Sequence, residues 1–274
     1  MQKTKKILIL GGSGFLGNAL YKELLPYFNV HGTYFSQDSL FEKNHHFHCW
    51  DFETENIEIL LENFKPDIVI SCIRGNFEAQ LIAHFECIHY VMKENKKIIF
   101  LSSTNVFDAF TNFPSYEYDK TLSISVYGRF KIKIENALLR LPNHNYVIAR
   151  LPMIFGANSP RVEEIKKLHQ VNEPIEVFPN VVINATSVSH FTQQIHYIIN
   201  RNLNGVFHLG SNDLIHHSDL IFEICEMLEI DDPLFKNVFD SNNDRFLAVL
   251  PRDNRLPKNL QLSIQDVVKS TTAQ

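Results

Sequence analysis

Twelve residues near the start of the chain, Lys6-Ile-Leu-Ile-Leu-Gly-Gly-Ser-Gly-Phe-Leu-Gly17, constrain its fold more than any others. The apolar run at 7–10 reads as a buried strand, the glycines at 11, 14 and 17 as a tight turn, and the periodic segment to residue 28 as a helix. At such a turn the unpaired N–H groups and the positive end of the helix dipole converge, and glycine lets a pyrophosphate approach the backbone. The spacing G-x-x-G-x-x-G is a variant of the dinucleotide fingerprint, and its place between strand and helix favours a nucleotide site over a structural turn. An adenine dinucleotide is the expected ligand, held around Gly11, Ser13, Gly14, Phe15, Leu16 and Gly17.

At 274 residues the chain fits one large domain or one and a half. Its net charge of -5 offers no basic footprint, so neither nucleic acid nor a membrane surface is expected as partner. Lys3, Lys5 and Lys6 before the apolar run imitate a signal peptide, but the glycines cut that run short, and no run approaches the ~20 residues of a span. Cys49, Cys72, Cys87 and Cys225 lack metal-ligand spacing, which suits reduced thiols in a cytoplasm.

Strand patterns at 30–36, 46–52, 67–72, 97–103 and 146–151 alternate with helical ones at 57–64, 77–94 and 125–140. That rhythm predicts an α/β fold with a doubly wound parallel Rossmann sheet, whose ligands sit at the carboxyl ends of the strands. Tyr34 and Ser36 end the second strand, where an acidic side chain would bond the adenosine ribose and repel a 2′-phosphate. None stands at 33–37, which leans towards NADP over NAD. Asp51 and Phe52 end the third strand, placing a carboxylate where the adenine amino group can donate to it, and Cys72 and Ile73 follow the fourth. His45, His46, His48 and Cys49 invite a metal reading, but strand alternation sends His46 and His48 to one face and His45 and Cys49 to the other. No metal site is expected there.

Beyond residue 152 the rhythm loosens into a helix at 161–171, a strand at 175–178, a helix at 187–200, a strand at 206–209, a helix at 219–228 and a tail of little periodicity. The expected division is an NAD(P)-binding domain over 1–151, including the catalytic helix, and a mostly substrate-binding lobe over 152–274, with 187–209 returning to the main sheet.

Tyr127 and Lys131 fall one turn apart on a helix. A phenol is a poor proton carrier at neutral pH, its reference pKa being about 10. A lysine ammonium one turn away, with the positive nicotinamide ring, favours the phenolate, and the lysine can also hold the nicotinamide ribose. A serine at a strand end, Ser103, can orient a carbonyl or alcohol oxygen for hydride transfer. A second Tyr-x-x-x-Lys, Tyr116-Glu-Tyr-Asp-Lys120, follows Pro114 in an acidic, non-periodic stretch, so its two ends need not share a helical face. Arg150 is expected as an ion-pair partner and His208 as a satisfied core histidine.

With these residues in place, the chain resembles the extended short-chain dehydrogenases/reductases, in the branch of dTDP-4-dehydrorhamnose reductase. The matching pieces run nearly the whole length in order: Gly11-Gly-Ser-Gly-Phe-Leu-Gly17, Pro66-Asp-Ile-Val-Ile70, Leu101-Ser-Ser-Thr-Asn-Val-Phe-Asp108, Tyr127-Gly-Arg-Phe-Lys131, Arg150-Leu-Pro-Met-Ile-Phe-Gly156, Ala185-Thr-Ser-Val188 and Gly205-Val-Phe-His-Leu209. The resemblance implies a nicotinamide-binding sheet, a small C-terminal nucleotide-sugar lobe and a Ser/Thr-Tyr-Lys trio, here Ser103, Tyr127 and Lys131. Departures fall at Thr104 and Asn105, where the family carries Asp and Tyr, at Gln80 for an asparagine, at Ser71-Cys-Ile73 for Asn-Ala-Ala, and at Arg252-Asp-Asn-Arg255 in the tail.

The implied activity is reduction of a nucleotide-linked keto-sugar or similar carbonyl by NADP or NAD. An epimerase or dehydratase that retains its cofactor, and a non-catalytic NADP-binding regulatory subunit, are the alternatives. The partners implied are a small nucleotide-sugar or carbonyl substrate and, as a protein assembly, a homodimer.

Overall fold

The computed structural model describes residues 5–35, 39–239 and 241–273. In chain order it holds β1 (Lys6–Leu10), α1 (Phe15–Leu24), β2 (Asn29–Tyr34), α2 (Ser39–Glu42), β3 (Phe47–Cys49), α3 (Glu58–Phe64), β4 (Ile68–Ser71), α4 (Phe77–Glu94), β5 (Lys97–Ser103), a 3-10 turn (Thr104–Phe107), α5 (Val126–Leu138) and β6 (Tyr146–Leu151). There follow β7 (Met153–Phe155), α6 (Pro160–Gln170), β8 (Ile175–Val177), β9 (Val181–Ile183), β10 (Ala185–Ser187), α7 (Val188–Asn200), β11 (Gly205–His208), β12 (Ile215–His216), α8 (His217–Met227), β13 (Phe235–Asn237), β14 (Arg245–Leu247) and α9 (Ile264–Lys269).

Seven strands make the main sheet in the order β11-β6-β5-β4-β1-β2-β3. The pairs β3-β2, β2-β1, β1-β4 and β4-β5 are all parallel. Strands buried on both faces need continuous apolar runs, and Ile7, Leu8, Ile9, Leu10, Ile98, Ile99 and Phe100 are all fully buried. Strand order reverses between β1 and β4, and such a switch point is the usual ligand position of an open α/β sheet. The Rossmann-like architecture is the one expected.

The chain divides into two compact units, residues 1–102, 129–149 and 195–206 in the first, and 103–128, 150–194 and 207–274 in the second. The first packs Leu8, Val69, Ile98, Phe100, Ile134 and Ile148 into one apolar core. The second has its own, including Phe155, Val162, Ile165, Ile175, Leu220 and Val267. Short sheets serve this unit: β10-β7, β12-β9-β14 and β13-β8.

Local chemistry fixes the helix ends. The Asn76 side chain caps α4 by accepting from the N–H groups of Glu78 and Ala79, and Asn95 closes the helix in the left-handed conformation. The tail, which reads as aperiodic, nevertheless contains β13, β14 and α9. Elements of three to six residues are too short to show a period, although Ser263 and Asp266 form a capping box that marks the start of α9. Strand β3 is shorter than its sequence pattern because the chain turns at Asp51, whose carboxylate accepts from the N–H of Glu53 at 3.0 Å and the hydroxyl of Thr54 at 2.8 Å.

Candidate functional site

In the first unit, β1 runs into Gly11 at φ +73, a conformation few other residues adopt. The Gly11 N–H donates to Thr33 Oγ1 at 2.8 Å and the Ser13 N–H to the Thr33 carbonyl at 3.2 Å, so the turn is stitched to β2. A Cβ on Gly12 would lie 2.8 Å from Gly32 Cα, and one on Gly17 would drive into the Gly11 carbonyl oxygen, so both must stay bare. Gly14 differs. It is exposed, it caps α1 with no side-chain hydrogen bond, and a Cβ there would meet only the Gly11 oxygen, at 3.3 Å. The first-turn donors of α1, at Phe15, Leu16 and Gly17, therefore start at an exposed position with no side-chain cap, which is what an incoming phosphate requires.

Cys72 and Ile73 border the same turn. The Cys72 N–H donates to the Leu10 carbonyl at 2.9 Å, and its own carbonyl lies 3.1 Å from where a Gly11 Cβ would be. Burial pushes the Cys72 thiol up to about 12, so it stays protonated. Phe52 packs against Trp50 with ring centroids 6.0 Å apart, and Tyr34 stacks on Phe41 at 6.1 Å. Ser36 lies outside the described residues. Asp51 spends both carboxylate oxygens on its own turn, so an adenine would share an acceptor already in use.

Lys131, also in this unit, is buried, its ammonium donating to the Leu101 carbonyl at 2.9 Å and lying 4.7 Å from the Phe100 ring centroid. Burial pulls its pKa down to about 8, against the raising influence of Cys72 and Glu135. Of the two serines ending β5, Ser102 donates to the buried Glu135 carboxylate at 2.5 Å. Gln80, on α4, is buried and donates to the Gly75 carbonyl at 2.9 Å.

The second unit holds the two hydroxyls. Ser103 caps the 3-10 turn, accepting from the Asn105 N–H at 3.3 Å and donating to Asn105 Oδ1 at 2.9 Å. Gly128 follows Tyr127 and lets the first turn of α5 lie on the Asn105 carbonyl, where any Cβ would clash, while its N–H donates to Ser125 Oγ at 3.0 Å. Asn105 thus touches the serine's turn with its side chain and the tyrosine's helix with its backbone. Tyr127 is exposed, at 38%. The continuous helix α5 carries Tyr127 and Lys131 one turn apart.

Arg150 is buried and donates through Nη1 to the Glu117 carbonyl at 2.9 Å and to His208 Nε2 at 3.3 Å. Because a guanidinium only donates, His208 must accept there, and its Nδ1–H donates to the Leu250 carbonyl at 3.1 Å, the satisfied core histidine that was expected. His46 and His48 do share a face, with His31: His31 and His48 are 2.8 Å apart at their ring nitrogens. Among the described residues no group of three or more His, Cys, Asp or Glu could hold a metal ion. A cavity of about 380 Å³ in this second unit is lined by Met153, Phe155, Arg161, Ile165, Phe178 and His217. The His217 ring accepts the Phe178 N–H at 3.3 Å, and burial, then Arg161, pull its pKa down to about 4. Neither Thr33 nor this cavity is legible from the sequence, since both depend on residues brought together from distant segments.

The four cysteines are free thiols. Among the described residues no helix is long and apolar enough to cross a membrane.

Three comparisons bear on this arrangement. The profile of the RmlD substrate binding domain family matches residues 76–272. The probable low-salt glycan biosynthesis reductase Agl14 of Haloferax volcanii is 23% identical over 86% of this chain and 85% of its own, and methionine adenosyltransferase 2 subunit beta of Bos taurus is 24% identical over 87% and 76%. A crystal structure of dTDP-4-dehydrorhamnose reductase from Bacillus anthracis in complex with NADP shares the fold at a TM-score of 0.76, with 18% identity over 98% of each chain.

Proposed function

Since this chain belongs to the RmlD substrate binding domain family, we propose that it is a nicotinamide-dependent reductase acting on the carbonyl of a nucleotide-linked keto-sugar. One observation carries the reading: the strand-turn-helix cradle ends in an uncapped helix at an exposed Gly14, in the same compact unit as a buried, positively charged Lys131. The cradle fits a dinucleotide, because Gly14 leaves the first-turn donors of α1 accessible while Gly12 and Gly17 cannot carry side chains. Gly11, Ser13, Gly14, Phe15, Leu16 and Gly17 would hold its phosphates, Cys72 and Ile73 would wall it, Tyr34, Ser36, Asp51 and Phe52 would flank its adenosine, and Lys131 would grip its nicotinamide ribose. When bound, the nicotinamide supplies the hydride.

This chain's own residues supply the rest. Tyr127 gives its phenolic proton to the carbonyl oxygen, and Lys131, one turn along α5, lowers the cost of the phenolate left behind. Ser103 orients that oxygen by donating its hydroxyl proton, which turns to the substrate from Asn105 Oδ1, while the Asn105 N–H continues to hold the serine oxygen. The cavity beside Arg161 and Phe178 offers a cation and an aromatic face to the nucleotide portion of such a substrate. The absence of an acidic residue at 33–37 and the NADP bound to the Bacillus anthracis relative support NADP over NAD.

The test is NADPH oxidation across a panel of dTDP- and UDP-linked 4-keto sugars. Turnover by the wild type, lost by at least 100-fold in Tyr127→Phe with NADPH binding retained, is the expected result; full turnover by the variant would remove Tyr127 from the proton step. Product recovered as an epimer or dehydrated sugar with no net NADPH consumption would favour a retained cofactor.

The similarity to a methionine adenosyltransferase subunit supports a second reading, a cofactor-binding regulatory subunit. A stoichiometric enzyme partner in a pull-down, together with no reduction across the panel, would favour it.

A further inference from the structure

The second Tyr-x-x-x-Lys run has no part in the chemistry above, yet its glutamate is only 2% exposed. The Glu117 carboxylate accepts the backbone N–H of Arg252 at 3.1 Å on both oxygens, that of Asp253 at 3.1 Å and that of Asn254 at 3.5 Å. Its carbonyl takes the Arg150 guanidinium at 2.9 Å. On one side the Arg252 guanidinium lies 4.1 Å from the Tyr116 ring centroid, and on the other the Tyr118 hydroxyl accepts from Asn254 Nδ2 at 3.5 Å.

The contacts continue upstream. The Phe246 N–H donates to the Thr111 carbonyl at 2.8 Å, the Ser115 N–H to the Ala248 carbonyl at 2.9 Å, and the Leu250 N–H to the Ser115 carbonyl at 3.0 Å. At the neck of this loop the Ile124 N–H donates to Asp108 Oδ1 at 2.7 Å. Residues 108–124 therefore form a closed-neck loop that joins the turn carrying Ser103 to the helix carrying Tyr127, and it is zipped along the tail. Glu117 is the zipper's charged end. All of these residues belong to the second unit.

We propose that Glu117 is a positioning residue for carbonyl reduction: its carboxylate clasps residues 252–254 and so holds in place the loop that joins Ser103 to Tyr127. This rests on the reductase reading. A carboxylate is the right group because it only accepts and faces donors alone. In Glu117→Gln one acceptor becomes an NH₂ that confronts N–H groups, so the clasp opens while volume is kept.

Hydrogen exchange of the ligand-free protein and steady-state kinetics with a dTDP-4-keto sugar together test this. In Glu117→Gln the amides of 252–254 should exchange at least tenfold faster, and kcat/KM for the keto-sugar should fall at least tenfold. NADPH affinity should stay within twofold, because the cradle belongs to the other unit. Glu117→Asp, which keeps the charge, should recover part of the loss, and Lys120→Ala, at the exposed end of the same run, should match wild type. Unchanged exchange at 252–254 overturns the clasp. Faster exchange with unchanged sugar kinetics overturns the positioning role and leaves a structural one. A wild type that binds NADPH but reduces nothing overturns the reductase reading, and the positioning role with it, whatever the exchange result.

Discussion

The Lys131 ammonium donates to the Leu101 carbonyl at 2.9 Å from a buried position, held by a backbone dipole and the face of Phe100. Its pKa is drawn down to about 8 by burial, below the usual lysine value, while the unfolded chain titrates near 10.4. Between those values the unfolded state binds the extra proton, so stability rises as pH climbs from 8 to about 10.4 and the buried charge is shed. Burying the cation therefore costs the ligand-free protein on the order of 3 kcal/mol at neutral pH. Lys131→Met should match or exceed wild-type stability at pH 7, and the gap should close by pH 10 in denaturant titrations. Its kcat should nonetheless fall at least 100-fold. A variant that loses stability at pH 7 would show that the ammonium contributes more than it costs.

Two glycines of the cradle, Gly17 and Gly14, should separate stability from binding. At Gly17 a methyl group drives into the Gly11 carbonyl, so Gly17→Ala should cost about 1–3 kcal/mol in chemical denaturation, as overpacking does. At Gly14 a methyl meets only one oxygen, at 3.3 Å, and the neighbour need give by a few tenths of an ångström. Gly14→Ala should therefore fold nearly as well as wild type but bind NADPH at least tenfold more weakly by fluorescence titration, because its methyl sits where the phosphate approaches. Equal affinity in the two proteins would place the cofactor elsewhere.

The main sheet was legible because its central strands β1, β4 and β5 are apolar runs that end in glycine or serine, and its long helices carry a clear period. Tyr146–Leu151 and Phe77–Glu94 fall where the pattern puts them. The short elements after residue 231 are not legible, since three to six residues cannot display a repeat. Around the candidate site the sequence points to the glycines and to the spacing of Tyr127 and Lys131. It does not say that Ser102 is taken by Glu135, because that partner lies on a distant helix; Ser103 turns instead to its near neighbour Asn105. The same holds for the run at 116–120. Read locally, it is a spare motif; only the fold brings the amides of 252–254 to Glu117.

Asn105 and Gly128 give a sharper test of how the two hydroxyls are held. A side chain at 128 would collide with the Asn105 carbonyl and the Ser123 hydroxyl, so Gly128→Ala must push the start of α5 away from the turn that Ser103 caps. Stability should drop by about 1–3 kcal/mol. Reduction of the keto-sugar should fall further than stability accounts for, at least tenfold in kcat measured well below the melting temperature, with NADPH affinity unchanged. Full kcat in a folded variant would mean that the spacing of Ser103 and Tyr127 tolerates movement.

Acid should find the buried histidines. His208 accepts from Arg150 and is pulled down to about 3 by burial, then by that guanidinium; His84, buried beside Ser71, is likewise pulled down to about 3 by burial. In both, the folded pKa lies below the unfolded value near 6.5, so the unfolded state takes up protons first as pH falls. Stability is therefore full above pH 6.5 and declines as pH drops from there towards 3. His208→Gln keeps a carbonyl oxygen that can accept from Arg150 but has no proton to gain. The melting temperature of this variant should depend less steeply on pH between 6 and 4 than that of wild type, even if it starts lower at pH 7. Parallel curves would show that protonation elsewhere, as in the His31 and His48 pair at the edge of the sheet, governs acid unfolding.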